Sequence, residues 1–222
     1  MINLLKHYTL VLAVIPLVVC TLLVSNAHAR YQHYPAYSAY SYQFQRTGLY
    51  LGGSLGFDTP EGPDQQGMYT GVGWSFSVGY EFIPQLALEL GYHQSVGDFS
   101  TYAANGTWTF FQIPYLHLKP MIPLPNSNLY FIIGLGYDGA QSTTNDLQYN
   151  ITTSSYGPGV DLGFGYEWYV TPNFTLGGET IYHYYSNNTF TVSGGGASGT
   201  VTSPYEVNMS YTSWNFTLLY HF

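Results

Sequence analysis

The chain has 222 residues, of which 45% are hydrophobic and 18% aromatic but only 7% charged, whereas an ordinary soluble domain carries about 25% charged residues. So few charges cannot clothe a water-facing surface, and 24 Tyr, 13 Phe and 4 Trp exclude a chain that stays disordered and solvated. The net charge of −8, four Lys plus Arg against twelve Asp plus Glu, excludes nucleic acid, which is held by a basic footprint.

At the amino terminus, Lys6 and His7 precede an apolar run over 9–24 that contains Pro16, and Ala27-His28-Ala29 stands before Arg30. Basic start, apolar core and small-x-small site predict a secretory signal peptide over 1–29. A spanning helix needs about 20 apolar residues, and this run is shorter and broken by proline. The single cysteine, Cys20, lies inside it, so cleavage leaves no disulfide and no thiol nucleophile. Residues 30–46 form a Tyr-rich segment without a period and read as a leader.

From Thr47 the period becomes two, the signature of strands with unlike faces. Leu49, Leu51, Leu55 and Phe57 alternate with Tyr50, Gly52, Ser54 and Gly56. The second segment sets Val72, Trp74, Phe76, Val78, Tyr80 and Phe82 against Gly73, Ser75, Ser77, Gly79 and Glu81. Leu86, Leu88, Leu90 and Tyr92 then alternate with Ala87, Glu89, Gly91 and His93. The fourth segment puts Trp108, Phe110, Leu116 and Leu118 on the apolar phase and Tyr115, His117 and Lys119 on the other. Phe111 and Ile113 are out of phase, so Pro114 marks a candidate bulge. Leu129–Asp138, Val160–Trp168, Phe174–Tyr184 and Ser213–Phe222 complete eight segments.

Short Pro- or Asn-bearing turns join segments two to three, four to five and six to seven, while 58–70, 97–106, 141–155 and 186–204 read as long polar loops. That asymmetry, with an even strand number, predicts an all-β fold: an eight-stranded antiparallel up-and-down transmembrane β-barrel over 47–222. Hydrocarbon offers no hydrogen-bond partner, so lipid-facing strands must pair all round. The apolar phase then faces lipid, the Gly/Ser/polar phase lines a crowded interior, and Phe82, Trp168, Phe174, Trp214, Tyr220 and Phe222 match interfacial aromatic girdles.

The carboxy-terminal run Phe216, Leu218, Tyr220, Phe222 resembles the signal read by the bacterial outer-membrane assembly machinery. Glycine-aromatic strands such as Gly48-Leu49-Tyr50-Leu51-Gly52-Gly53 and Ile133-Gly134-Leu135-Gly136-Tyr137 resemble the small outer-membrane protein β-barrel family, which includes the transmembrane domain of outer-membrane protein A and the opacity-type adhesins. The resemblance implies an integral bacterial outer-membrane location and contact with outer-membrane lipid and lipopolysaccharide. It also implies recognition of Phe222 by the assembly machinery, a host or envelope ligand at four external loops, and a monomer.

The candidate chemistry lies on the interior phase, where Glu81, Glu89, Asp138, Asp161, Glu167 and Glu179 face one cation, Lys119. Asp58, Glu61, Asp64, Asp98, Asp146 and Glu206 fall in the loops. Counting from the short turns, Glu89 and Lys119 lie at like depth on adjacent strands and are expected to pair across the lumen wall. The interior acids also suit a narrow cation-preferring water path. His93, His117, His183 and His221 share the interior phase, read as separate polar residues rather than metal ligands. Asp138 and Asp161 alone are too few for calcium, which takes six to eight oxygens. His183-Tyr184-Tyr185-Ser186-Asn187 looks somewhat like the His-x-Ser-Asn motif of lipid A deacylases. Its His and Ser are three apart, however, and point to opposite faces of a strand. No catalytic residue, cofactor or metal is therefore assigned.

Overall fold

The structure, a computed structural model, describes residues 47–61, 65, 67–100, 105–145, 150–194 and 197–222. The signal-peptide and Tyr-rich segments, like Asp64 and Asp146, lie outside the described residues. Eight strands follow one another: β1 (Gly48–Glu61), β2 (Gly71–Ile83), β3 (Leu86–Ser100), β4 (Asn105–Leu124), β5 (Ser127–Asn145), β6 (Asn150–Tyr169), β7 (Phe174–Gly194) and β8 (Ala197–His221). Each pairs antiparallel with the next, and β8 returns to β1 from Tyr50↔His221 to Glu61↔Ser210, closing the barrel. No edge remains where the strands cross hydrocarbon, as the backbone requires.

The alternation read from the sequence sets the two faces. Leu55, Val72, Phe76, Leu135, Leu162, Phe164, Phe216 and Leu218 stand outward and exposed, while Tyr50, Ser54, Ser77, Glu81, Glu89, Ile132 and Thr217 are buried inside. Three inward tyrosines lie over the glycine directly opposite in the ladder: Tyr50 over Gly79, Tyr115 over Gly91 and Tyr130 over Gly165. A Cβ on Gly165 would fall 2.4 Å from the Tyr130 ring, so the missing side chain is what admits the ring.

β4 departs from the expected facing. Trp108 and Phe110, assigned by parity to the lipid, are 1% and 0% exposed inside the barrel. The cause is a bulge at Ile113-Pro114: register shifts between Gln112 and Tyr115, both of which point inward although three residues apart. Parity above the bulge is therefore inverted relative to Leu116 and Leu118 below it.

The segments expected to be long polar loops are largely strand. β5 and β6 stay paired out to Asn145↔Asn150, and β7 and β8 out to Gly194↔Ala197. Above the membrane a hairpin needs no apolar face, so its Thr and Ser residues hide the period. Asp58, placed in a loop by the same reasoning, belongs to β1 and is fully buried. It continues the inward series Tyr50, Gly52, Ser54, Gly56.

A polar network in the barrel lumen

The short turns between β2 and β3, β4 and β5, and β6 and β7 share one end of the barrel with the start of β1 and the end of β8. Near that end His221 Nδ1 stands 3.6 Å from Glu81 Oε1. The Asn128 amide donates to Glu167 Oε1 at 2.7 Å and to the Tyr169 hydroxyl at 3.0 Å.

One layer further in, β4 carries Lys119 beside Ala87 of β3, two residues from the Glu89↔His117 pair. The Lys119 ammonium donates to Glu89 Oε2 at 2.8 Å, lies 3.7 Å from Glu179 and sits 5.0 Å from the centre of the Tyr130 ring. The Tyr50 hydroxyl also donates to Glu89 Oε2, at 3.0 Å, and the Tyr130 hydroxyl to Glu179 at 3.0 Å. Lys119 is the only Lys or Arg in 47–222. Pairing and added hydrogen bonds are the conditions under which a desolvated charge is tolerated.

The outer third is organised on Asp161. Its Oδ2 meets His117 Nε2 at 2.9 Å and accepts from the Gln112 amide at 2.8 Å, while Oδ1 meets His183 Nδ1 at 2.7 Å. His183 Nε2 shares a hydrogen bond of 3.0 Å with Ser213 Oγ. Beside it, Asp58 Oδ2 meets His93 Nε2 at 2.7 Å, and the His93 and His183 rings stack with centroids 5.6 Å apart. Three of the four histidines read as separate residues, His93, His117 and His183, thus form one cluster with two aspartates, while His221 lies apart beside Glu81. Asp138 lies opposite Gln112 in the ladder and over Gly159. Its carboxyl oxygens have no hydrogen-bond partner among the described residues.

Above this layer the inverted parity of β4 places an aromatic stack. Tyr211 lies 4.3 Å from the His183 ring and 4.8 Å from Phe110, which lies 4.6 Å from Trp108. The Trp108 indole donates to the Asp98 carbonyl at 3.1 Å and the Tyr69 carbonyl at 3.2 Å. Among the cavities that interrupt the filling are one of about 50 Å³ at the outer mouth, lined by Trp108, Phe110, Phe190 and Met209, and one of about 10 Å³ beside Lys119 and Glu179. The second, at about 10 Å³, is at the lower limit of about 10–15 Å³ that one water molecule needs.

The structure therefore brings Glu89, Lys119 and Glu179 together, places His117 between Glu89, 3.9 Å from its Nδ1, and Asp161, 2.9 Å from its Nε2, and leaves Glu81, Glu167 and Asp138 outside those direct contacts. Ser186 is not the partner of His183; Ser213 of β8 is. Ser213, His183 and Asp161 have the order of a nucleophile, base and orienting acid. Ser213 and Asp161 have no accessible surface and His183 only 2%, so all three lie buried in one hydrogen-bonded chain. Among the described residues no group of three His, Cys, Asp or Glu is arranged to hold a metal. Asp58 and Gln112 were missed by sequence reading; continuing the parity of β1 through Gly56 signals the first, and only the bulge reveals the second.

A closed eight-stranded barrel with an apolar outside, a charged and filled inside, and short turns at the end that holds both strand termini is a small integral outer-membrane barrel. The outer membrane protein beta-barrel domain model matches residues 19–222, and the chain belongs to that family. Neisserial surface protein A is similar in structure at a TM-score of 0.55 and 12% identity, covering 78% of this chain and 97% of that one. A major outer membrane protein from Thermus thermophilus gives 0.55 at 17% identity, covering 78% and 99%. The outer membrane protein OprG from Pseudomonas aeruginosa gives 0.50 at 14%, covering 81% and 98%. By sequence, no curated protein matches the chain. At these identities the likeness establishes the shared fold.

Proposed function

We propose that the chain is a closed, non-enzymatic barrel that serves the bacterial envelope through its architecture and through surface interactions of its outer hairpins. The observation that carries this reading is the filled lumen, in which the Lys119–Glu89 pair, the Asp161 cluster and the Trp108–Phe110–Tyr211 stack follow one another along the axis. An eight-stranded barrel has room for side chains and little else. The protruding parts of β5–β8 are then the surface left for recognition, as is usual for the outer connections of such barrels. Outer-membrane lipid surrounds the exposed apolar band. The Phe222 amide donates to the Leu49 carbonyl at 3.1 Å, and we place the contact with the assembly machinery at this terminal residue.

The excess of lumen acids over Lys119 favours one other reading, a narrow cation-preferring pore. Planar-bilayer recording separates the two. The closed barrel gives no steady conductance, with or without Lys119→Ala replacing the plug residue that pairs with Glu89. A steady cation-selective conductance in the wild type would overturn the closed reading.

A further inference from the structure

Above the apolar band the convex face of β4–β8 carries two rows of uncharged polar side chains in ladder register. One row runs Thr109, Gln141, Ser154, Thr191, Thr200 and the other Thr107, Thr143, Thr152, Ser193. Trp108, between the two β4 threonines, points into the lumen, and Ser155, beside Ser154, is likewise buried, so both rows stand on the outside of the barrel. Thr107, Gln141, Thr191 and Thr200 are exposed, and the Thr143 and Thr152 hydroxyls meet at 3.2 Å.

The rows continue an interface already described. Immediately below them on the same face, Phe111 and Tyr156 pack with ring centroids 5.2 Å apart, and Tyr137, Val160 and Leu162 stand exposed below those. The order from the membrane outward is aliphatic, aromatic, hydroxyl. A side chain in the hydroxyl rows therefore meets whatever the outer leaflet presents just above its interfacial zone.

Charge decides what that is. Lys119 is the only cation in 47–222 and lies in the lumen, so the outer face has no ammonium or guanidinium to clamp a phosphate. Glu61 and Asp98 are exposed at the same end and repel anions. Hydroxyls and an amide, spaced about 4.8 Å across strands and about 6.8 Å along them, offer both donors and acceptors on the scale of a sugar ring.

We propose that this hydroxyl face of β4–β8 holds the uncharged sugar headgroups of glycolipid in the surrounding outer leaflet. The proposal rests on the reading of the outer hairpins as an interaction surface and names their partner. Sugar hydroxyls and Thr, Ser and Gln side chains exchange hydrogen bonds without a charged desolvation cost, and the apolar band below anchors the lipid chains.

The test uses the protein purified from outer membranes and placed in phosphatidylcholine nanodiscs that contain a neutral glucosyl lipid, phosphate-bearing lipopolysaccharide, or no added lipid. Native mass spectrometry counts the lipids retained. Wild type is expected to hold the glucosyl lipid about tenfold better than phosphatidylcholine. The combined Thr109→Val, Thr143→Val, Thr152→Val and Thr191→Val variant, with folding checked by heat-modifiable mobility, should fall to the level of phosphatidylcholine. The matching set of Thr→Ser changes should keep the preference. Equal retention of sugar-bearing and sugar-free lipid, preference for the phosphate-bearing lipid that a chelator abolishes, or a folded Val variant that binds as wild type would each overturn the proposal. Bilayer conductance would overturn the closed-barrel reading whichever lipid is retained, so the two failures are distinguishable.

Discussion

Replacing Lys119 by Met removes the one ammonium of the lumen while keeping most of the volume of its stem. Glu89, itself buried, loses a partner at 2.8 Å, and Glu179 loses one at 3.7 Å. Truncating one member of a buried ion pair costs about 3–5 kcal/mol because the other charge is stranded. The Tyr50 hydroxyl still donates to Glu89, which places the expected loss at the lower end, about 3 kcal/mol. Glu89→Gln alone leaves Lys119 beside Glu179 and should cost less, about 1–3 kcal/mol. In the double variant both charges of the Lys119–Glu89 pair are gone and only Glu179 is left without the ammonium, so the two losses should fall short of additivity by at least about 1 kcal/mol. Urea unfolding of the barrel in lipid vesicles, followed by tryptophan emission and extrapolated linearly, supplies the four stabilities of the cycle. A Lys119→Met loss below about 1 kcal/mol, the scale of an exposed pair, or additivity within about 0.5 kcal/mol, would refute the account of the pair as a buried, mutually dependent unit.

Trp108 tests the inverted parity of β4: with Trp74, Trp168 and Trp214 changed to Phe, its emission should resist quenching by brominated lipid, and strong quenching would return it to the lipid face. Each of the other three, retained alone, should be quenched, since all stand outward and exposed. Gly165→Ala drives a methyl into the Tyr130 ring and should cost about 1–3 kcal/mol of unfolding free energy. Gly53→Ala, whose new Cβ stays 3.6 Å from the nearest atom, should remain within about 0.5 kcal/mol of wild type; similar losses at both sites would deny the ring-over-glycine packing.

The barrel was legible because lipid enforces a strict rule. Where Leu135, Leu162 or Phe216 must face hydrocarbon, every second residue is apolar and the period shows directly. The rule lapses in two places. Above the membrane both faces of a hairpin can be polar, so Thr143, Thr152 and Thr191 gave no period and their strands read as loops. At Ile113-Pro114 one step of register exchanges inside and outside, and an aromatic such as Trp108 suits either. The Glu89 and Lys119 placement followed from depth along the strands alone. The Asp161 cluster did not: His117, Gly134, Asp161 and His183 form one ladder row across β4–β7, where the missing side chain of Gly134 lets His117 reach over β5 to Asp161, and Gln112 joins them only through the bulge.

The seclusion of Lys119 has a practical side. Outside the amino-terminal 46 residues the chain offers no other lysine or arginine, and this one is 6% exposed inside the barrel. Trypsin applied to intact cells finds no cleavage site on the outer hairpins, and amine-directed biotinylation finds nothing there to label. Surveys of the cell surface built on either reagent would therefore pass over this barrel even where it is abundant, whereas carboxyl-directed coupling at Glu61 or Asp98 would reveal it.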